Sequence, residues 1–167
     1  LRVPQKDFEE YFSRIYQERW DHLKSSIVNE SSHCALLNPW LEIDDEKWKN
    51  WSNFLQNRYV KVKNQLDPKE VTAKGQLNDC YFLDPGSVLV AQALQVNAGE
   101  QVLDLCAAPG GKSLVIAHSL KDSGELWCNE ISQDRRLRLK RNLDHFVIPE
   151  QRERFKVKGM DGGQAGM

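Results

Sequence analysis

The sequence predicts an α/β fold of about three parallel strands with helices, preceded by a small helical region. From residue 81 onward, short apolar runs alternate with segments whose apolar residues recur at helical spacing, an order typical of a parallel sheet with crossover helices. Residues 7–27 show helical spacing alone, and residues 56–80 are polar with a proline at position 68. A chain of 167 residues has room for this helical piece and part of a larger domain.

The N-terminal region is predicted to be helical. In residues 7–27 the apolar side chains fall on roughly one face, namely Phe8, Phe12, Ile15, Leu23 and Ile27. Asp44 is a suitable N-cap for a second helix, whose inward residues would be Trp48, Trp51 and Leu55. Tryptophans are able to stack on bases, but helical spacing favours packing here. We therefore predict a helical region, a linker and an α/β domain over residues 1–66, 67–80 and 81–167.

The α/β part is predicted to alternate helices and strands. The helices are expected at residues 87–94, 111–120 and 132–146, and the strands at 101–105, 125–129 and 154–158. Ser132 or Asp134 is suited to cap the third of these helices. Alternation over this length implies a parallel sheet with right-handed crossovers.

Bulk composition excludes several classes of protein. The net charge of −1 gives no general reason to expect a nucleic-acid partner. There is no apolar run near 20 residues and no visible signal peptide, so we expect neither a membrane span nor membrane association. The four cysteines are widely spaced and form no Cys-x-x-Cys pair or histidine cluster. They read as reduced thiols of a cytoplasmic protein rather than as a disulfide framework or a metal site.

The stretch from Gln101 to Ser113 carries the strongest functional signal. It consists of a short apolar run, a loop of small residues and an apolar helix. Gly110 and Gly111 let the backbone turn sharply and let a ligand approach the amide groups. Those amides open a helix, where free N–H groups and the macrodipole favour a negative group. The loop is therefore a candidate anion site.

Three ligands compete for this loop. A phosphate-binding P-loop needs a glycine at the position of Cys106, and only its Gly-Lys-Ser tail is present. The dinucleotide fingerprint Gly-x-Gly-x-x-Gly is absent. The third ligand, S-adenosylmethionine, calls for an acidic residue at the end of the next strand to hold the ribose hydroxyls, and Glu130 stands there. The order of Asp104, glycine loop and Glu130 favours this third ligand over an ordinary turn.

The segment from Asp104 to Ser113 resembles the cofactor loop of the Nop/Sun RNA cytosine-5 methyltransferases, relatives of bacterial RsmB and RsmF. Tyr81 to Ser87 is similar to the segment that precedes the fold in that family, with Gly86 where alanine is usual. Downstream similarities are Asn129-Glu130-Ile131-Ser132 with Arg135, Leu139 and Asn142, and then Met160-Asp161-Gly162. The resemblance covers about residues 79–167 and implies part of a Rossmann-like class I methyltransferase sheet, so that we expect the chain to be truncated.

The resemblance implies a set of cofactor-binding residues for S-adenosylmethionine. The loop amides and Lys112 would meet the methionine carboxylate, Glu130 the ribose and Asp161 the adenine amino group, while Asp104 would orient the loop. The full set is Cys106, Ala107, Ala108, Pro109, Gly110, Gly111, Lys112, Glu130, Arg135, Asp161 and Gly162.

The implied reaction forms 5-methylcytosine in ribosomal or transfer RNA. It needs a cysteine thiolate that adds to C6 of cytosine. The family carries that cysteine in Pro-Cys or Thr-Cys contexts, which Cys34, Cys80 and Cys128 lack, and Cys106 lies in the cofactor loop. We therefore expect the nucleophile beyond Met167 and no activity of this chain alone. A SAM-fold adaptor without chemistry and a P-loop nucleotide hydrolase remain as alternatives.

A local excess of positive charge occurs in residues 132–158, where nine basic residues stand against four acidic ones. A solvated helix face explains most of these side chains. A patch for the RNA backbone is the functional alternative.

Overall fold

The computed structural model describes residues 5–28, 32–63 and 77–164. The chain divides into two compact units, residues 1–31 and 32–167. In the first unit, helices α1 (Gln5–Tyr16) and α2 (Trp20–Val28) are separated by a 3-10 turn at Gln17–Arg19. Among the described residues, no helix combines the length and the apolar character needed to cross a membrane.

The first unit is helical, as predicted, but residues 7–27 do not form one continuous helix. Gln17 adopts a left-handed conformation (φ 48°) and interrupts it. Trp20 is buried, stacks on Phe12 with ring centroids 5.3 Å apart and donates a hydrogen bond of 3.0 Å to Glu9. Because the break redirects the second helix, the predicted apolar face is not preserved, and Ile27 is three-quarters exposed.

The second unit begins with a four-stranded antiparallel sheet that the sequence did not predict. Its strands are β1 (His33–Leu37), β2 (Ser52–Phe54), β3 (Asn57–Lys63) and β4 (Cys80–Leu83), in the order β2-β3-β1-β4. The helical region predicted for residues 1–66 is therefore wrong beyond the first unit. Residues 67–76 of the predicted linker lie outside the described residues, and its last residue begins β4. The domain boundaries at 66 and 80 stay predictions.

The helix predicted after Asp44 is wrong as well. Asp44 accepts a hydrogen bond from the Lys47 amide, as an N-cap would, but turns follow and lead into β2. Trp48 and Trp51 are buried as expected, and their rings meet edge to face at 5.3 Å. Leu55, predicted to point inward, is half-exposed in the turn between β2 and β3. The tryptophans pack in the core beside the antiparallel sheet. Their burial therefore explains their apolar character, and their helical spacing in the sequence does not reflect a helix.

The α/β part follows the prediction closely. After α3 (Pro85–Ala93), strands β5 (Gln101–Asp104), β6 (Glu125–Asn129) and β7 (Phe155–Lys158) form a parallel sheet in the order β5-β6-β7. Helices α4 (Gly111–Leu120), α5 (Gln133–Phe146) and α6 (Pro149–Arg152) connect them. The predicted strand 125–129 and helix 111–120 have the observed bounds. Ser132 occupies the N-cap of α5, although its side chain makes no capping hydrogen bond.

One core joins both sheets of the second unit. Apolar residues of α4 and α5, such as Leu114 and Leu139, pack with Cys34 and Leu36 of β1. Asn38, which is buried, donates hydrogen bonds to the carbonyl groups of Asn78 (2.9 Å) and Phe146 (2.7 Å). This side chain satisfies buried carbonyls where the antiparallel sheet meets the end of α5.

Candidate functional site

The glycine loop lies between the carboxyl end of β5 and the first turn of α4. Gly110 has φ +121°, and a Cβ there would lie 3.2 Å from Leu139 Cδ1. A side chain at this position would be strained by both its backbone angle and its surroundings. From Gly111 onward the first N–H groups of α4 have no acceptor within the helix. The loop therefore presents the helix N-terminus that the sequence predicted.

Asp104 orients this loop from the end of β5. Its Oδ1 accepts a hydrogen bond from the Cys106 amide (3.3 Å), and its Oδ2 accepts one from the buried Ser113 hydroxyl (2.8 Å). The Ala107 amide donates to the Asn129 carbonyl at 2.9 Å. The amides of Cys106 and Ala107 are thus engaged within the protein. The predicted anion contact is left to the amides nearer α4.

Glu130 directly follows β6, beside the loop, and is nearly fully buried, with 2% exposure. Its Oε1 accepts a hydrogen bond from the Ser132 amide at 2.9 Å. Its Oε2 lies 3.2 Å from Arg135 Nη1, but without hydrogen-bond geometry, and it accepts no hydrogen bond from any described residue. Buried carboxylate oxygens are seldom left without a donor. This oxygen, which is paired with Arg135 by charge but is unpartnered in hydrogen bonding, suits a donor from a ligand.

Two side chains of α5 hold consecutive carbonyl groups of the loop. Arg135 Nη2 donates to the Ala108 carbonyl at 2.9 Å, and Asn142 Nδ2 donates to the Pro109 carbonyl at 2.7 Å. Both bonds fix the loop to the helix that follows Glu130. Arg135 was predicted as a cofactor neighbour, and the structure gives it this bridging position between Glu130 and the loop.

Asn129 connects the ends of all three parallel strands, a role that sequence analysis missed. Its Nδ2 donates to the carbonyls of Leu105 (3.1 Å) and Met160 (3.0 Å), and its Oδ1 accepts from the Met160 amide (2.9 Å). The sequence did contain a signal for this role, because an amide side chain stands at the end of a buried strand, directly before Glu130.

This connection brings the turn at Asp161 and Gly162 to the same end of the sheet. A Cβ on Gly162 would lie 3.8 Å from Leu105 Cδ2. Asp161 itself is exposed, and its Oδ1 accepts a hydrogen bond from the Gly163 amide. Its predicted contact with adenine stays a prediction.

A cleft of about 240 Å³ separates the loop from β4 and the start of α3. One wall is the loop itself, and the other is the segment from Tyr81 to Ser87 that the sequence singled out. Lys112 reaches across, and its Nζ donates to Ser87 Oγ at 3.2 Å. Hydrogen bonding from Ser87 lowers the pKa of Asp84, and the charge of Lys112 acts in the same direction. The cleft therefore has one cation at its rim, next to the N-terminus of α4.

The four cysteines differ sharply in exposure. Cys34, Cys80 and Cys128 are buried, and burial raises their pKa values to about 11, 12 and 12. Cys106 is exposed at the cleft. Thiolate is the reactive form, so the three buried thiols are unsuited to act as nucleophiles in the folded protein.

This contrast predicts that, of these four thiols, Cys106 alone reacts rapidly with Ellman's reagent in the folded protein at about pH 8. The other three should react only after unfolding in guanidinium. Bound S-adenosylmethionine is expected to slow the rapid reaction, because Cys106 lines the cleft. Cys106→Ser is the control and should remove the rapid phase. Rapid reaction of Cys34, Cys80 or Cys128 in the native protein would contradict the burial pattern.

Several basic residues of segment 132–158 turn out to bond with backbone carbonyls. Arg136 donates to the carbonyls of Glu130 and Ile131, and Arg154 donates to that of Gly124. Arg152 donates to Asp144 and to the Phe155 carbonyl. The solvated helix face predicted for most of the basic side chains is compatible with the exposure of Arg138, Lys140 and Arg141, whereas the three bonded guanidinium groups hold neighbouring backbone.

The assembled residues fit a nucleoside that carries a negatively charged tail. The unpartnered Oε2 of Glu130 suits a hydroxyl donor such as a ribose diol. The N-terminus of α4 and Lys112 suit a carboxylate. Both features occur at the carboxyl ends of parallel strands, where ligands bind in open α/β sheets. The loop and Lys112 line the cleft, whereas Glu130 does not belong to its lining.

Comparison with known proteins identifies related sequences. Residues 91–164 match the family model described as 16S rRNA methyltransferase RsmB/F. The chain is 33% identical over 195 residues to the mitochondrial tRNA (cytosine(34)-C(5))-methyltransferase of Danio rerio, covering 99% of this chain and 53% of that protein. It is 38% identical over 199 residues to the 5-cytosine rRNA methyltransferase NSUN4 of Mus musculus, covering 99% and 52%. The chain therefore spans about half the length of these curated relatives.

Solved structures agree with the fold. A methyltransferase homolog protein from Pyrococcus horikoshii superposes with a TM-score of 0.77 at 16% identity, covering 97% of this chain and 54% of that one. NSun6 from Pyrococcus horikoshii with SFG gives a TM-score of 0.72 at 12% identity, covering 93% and 65%. At such identities the likeness shows the fold alone.

Proposed function

Because this chain belongs to the Nop/Sun family of RNA cytosine-5 methyltransferases, of which it carries a partial region, we propose that the whole protein methylates C5 of cytosine in RNA. The observation that carries the proposal is the buried, unpartnered Glu130 oxygen beside a glycine loop at a helix N-terminus. Those features suit S-adenosylmethionine, which supplies an electrophilic methyl group when bound.

Each residue has a defined part in the proposed site. The amides at the start of α4, with Lys112, bind the methionine carboxylate. Glu130 accepts hydrogen bonds from the ribose hydroxyls, and the ion pair with Arg135 orients its carboxylate. Asp161 accepts a hydrogen bond from the adenine amino group, and Gly162, which has no side chain, leaves room for the adenine. Cys106 to Pro109, with Gly111, line the cleft and would form the wall for the cofactor.

The nucleophile of the proposed reaction lies outside this chain. Cytosine C5 becomes reactive only after a thiolate adds to C6, and the buried Cys34, Cys80 and Cys128 are held protonated by their raised pKa values. Cys106 belongs to the cofactor side of the cleft. As the family resemblance implies, we expect the catalytic cysteine beyond Met167. We expect the 167 residues alone to transfer no methyl group.

The proposed substrate and compartment are taken from the names of the relatives. Their names specify ribosomal and transfer RNA, and the proposed substrate is RNA of one of these classes. The first of them is named a mitochondrial protein, so the cytoplasmic location expected from the sequence is replaced by a proposed mitochondrial one. Fractionation of source cells, followed by immunodetection of the protein, tests this location.

Methyl transfer from radiolabelled S-adenosylmethionine tests the proposed function. The full-length protein should label ribosomal or transfer RNA, and nuclease digestion should yield labelled 5-methylcytidine. Calorimetry that shows cofactor binding without any transfer would favour the non-catalytic adaptor. Binding of ATP in preference to S-adenosylmethionine would favour the P-loop protein. Either result would overturn the proposal.

A further inference from the structure

A groove follows the outer edge of β7, and we call it the edge groove. Its volume is about 490 Å³. Four basic side chains (Arg136, Lys140, Arg152 and Lys156) and one carboxylate, Glu153, line it, over a floor that includes Phe155. β7 is the terminal strand in the order β5-β6-β7, so the groove opens at a sheet edge.

Two of the cations are held in fixed positions. Arg136 Nη1 donates to the Glu130 carbonyl at 2.7 Å, and Arg152 donates to Asp144 and to the Phe155 carbonyl, both at 2.6 Å. A guanidinium group has five N–H donors, so these bonds leave donors free to meet an anion. Side chains held in this way lose little further conformational entropy on binding.

The other two cations are not neutralised within the described parts of the chain. Lys140 on α5 and Lys156 on β7 are exposed, and neither forms an ion pair with a carboxylate of those residues. With Asp144 paired to Arg152 and Glu153 on the lining, four positive charges therefore stand against two negative ones at a single concave surface. Such a surface attracts a polyanion by charge and by release of its counterions.

We propose that the edge groove binds the phosphate backbone of the substrate RNA, an inference that rests on the proposed function. A peptide strand is the poorer occupant, because β7 has four residues and Arg152 already occupies the Phe155 carbonyl. Phe155 is buried, so it offers no ring on which a protein or a base stacks. What the groove presents is positive charge, which suits phosphate and carries no sequence readout.

The groove also adjoins the cofactor site. Arg136 lines the groove and is bonded to the carbonyls of Glu130 and Ile131, whereas the Glu130 carboxylate belongs to the proposed ribose site. RNA lying in the groove therefore continues toward the carboxyl ends of the strands. Its backbone contacts position the molecule, and the choice of cytosine is made elsewhere.

The test compares Lys140→Gln/Lys156→Gln with the control Arg138→Gln/Arg141→Gln in the full-length protein. The control removes the same charge from exposed positions of α5 that do not line the groove. Fluorescence anisotropy with a labelled single-stranded RNA of about 30 nucleotides is measured from about 50 to 300 mM KCl. We expect the groove variant to bind about tenfold more weakly and its salt slope to fall by about 1.4, since each lost phosphate contact contributes about 0.7.

Three results decide the matter. Weaker RNA binding with a smaller salt slope, alongside unchanged calorimetric affinity for S-adenosylmethionine, supports the edge groove. Equal losses in both double variants show a diffuse charge effect and overturn it. Unchanged RNA affinity of the groove variant also overturns it. If that variant at the same time no longer co-purifies with an acidic protein, the groove binds protein instead of RNA. Cofactor affinity and methyl transfer are measured separately from RNA affinity, so a negative result for the edge groove does not contradict the proposed function.

Discussion

Replacement of Glu130 by glutamine is expected to lower the affinity of the full-length protein for S-adenosylmethionine by about 100-fold. The buried carboxylate has one oxygen without a hydrogen-bond donor, and the ribose diol would supply the missing donors. Hydrogen bonds to charged groups contribute about 1.5–3 kcal/mol each, and 2.7 kcal/mol corresponds to a factor of about 100. Isothermal titration calorimetry measures the change directly.

Glu125→Gln is the matched control for this experiment. Glu125 begins the same strand at its opposite end, and its carboxylate accepts a hydrogen bond from Trp127 at the surface. The same chemical change there should leave cofactor affinity within about twofold. Circular dichroism of both variants should match the wild type, because glutamine preserves the volume of glutamate. If Glu130→Gln binds the cofactor as tightly as the control, the ribose assignment is wrong.

Gly124→Ala is expected to reduce the free energy of unfolding by about 3 kcal/mol or more. Gly124 precedes β6 with φ +87°, and a Cβ there would lie 2.4 Å from the Glu100 carbonyl oxygen and 2.9 Å from Leu120 Cδ2. The backbone angle alone costs about 1–2 kcal/mol for alanine. The clash with a backbone oxygen adds to this, because the strand cannot shift without disturbing its pairing with β5. Urea denaturation followed by tryptophan fluorescence measures the loss.

Gly99→Ala separates the two causes. Gly99 has nearly the same angle, φ +88°, but the nearest atom to its Cβ position is Ser123 Oγ at 3.8 Å. We expect a loss of about 1 kcal/mol from the backbone angle alone. Similar losses in both variants would show that contact with Glu100 adds nothing, and the structure around the start of β6 would then be wrong.

Local signals in the sequence were sufficient for the parallel sheet. The glycine loop, strand β6 and helix α4 were predicted with their observed bounds or close to them, because each depends on neighbours within a few residues. Glu130 was placed beside the loop for a related reason. Carboxyl ends of adjacent parallel strands meet at one edge, so chain order alone fixes which side chains converge.

Pairing between distant residues explains what the sequence did not reveal. β1 pairs with β3 and with β4, whose registers join Cys34 to Val62 and to Leu83. No local pattern indicates a strand partner that far along the chain, so the helical spacing of the tryptophans led to the wrong prediction of a helix. The break at Gln17 was missed because glutamine at a positive φ leaves no compositional trace.

The sequence by itself determined the α/β order, the glycine loop and the acidic residue of the candidate site, since backbone conformation at glycine and apolar periodicity act over short distances. The tertiary structure alone decided which polar groups satisfy one another. It turned Asn129 and Asn142 toward loop carbonyls, Arg136 and Arg152 toward turns, and left one oxygen of Glu130 without a donor. Burial is the physical reason, because a polar group removed from water needs a hydrogen-bond partner, and the tertiary structure decides which groups come within about 3 Å of it.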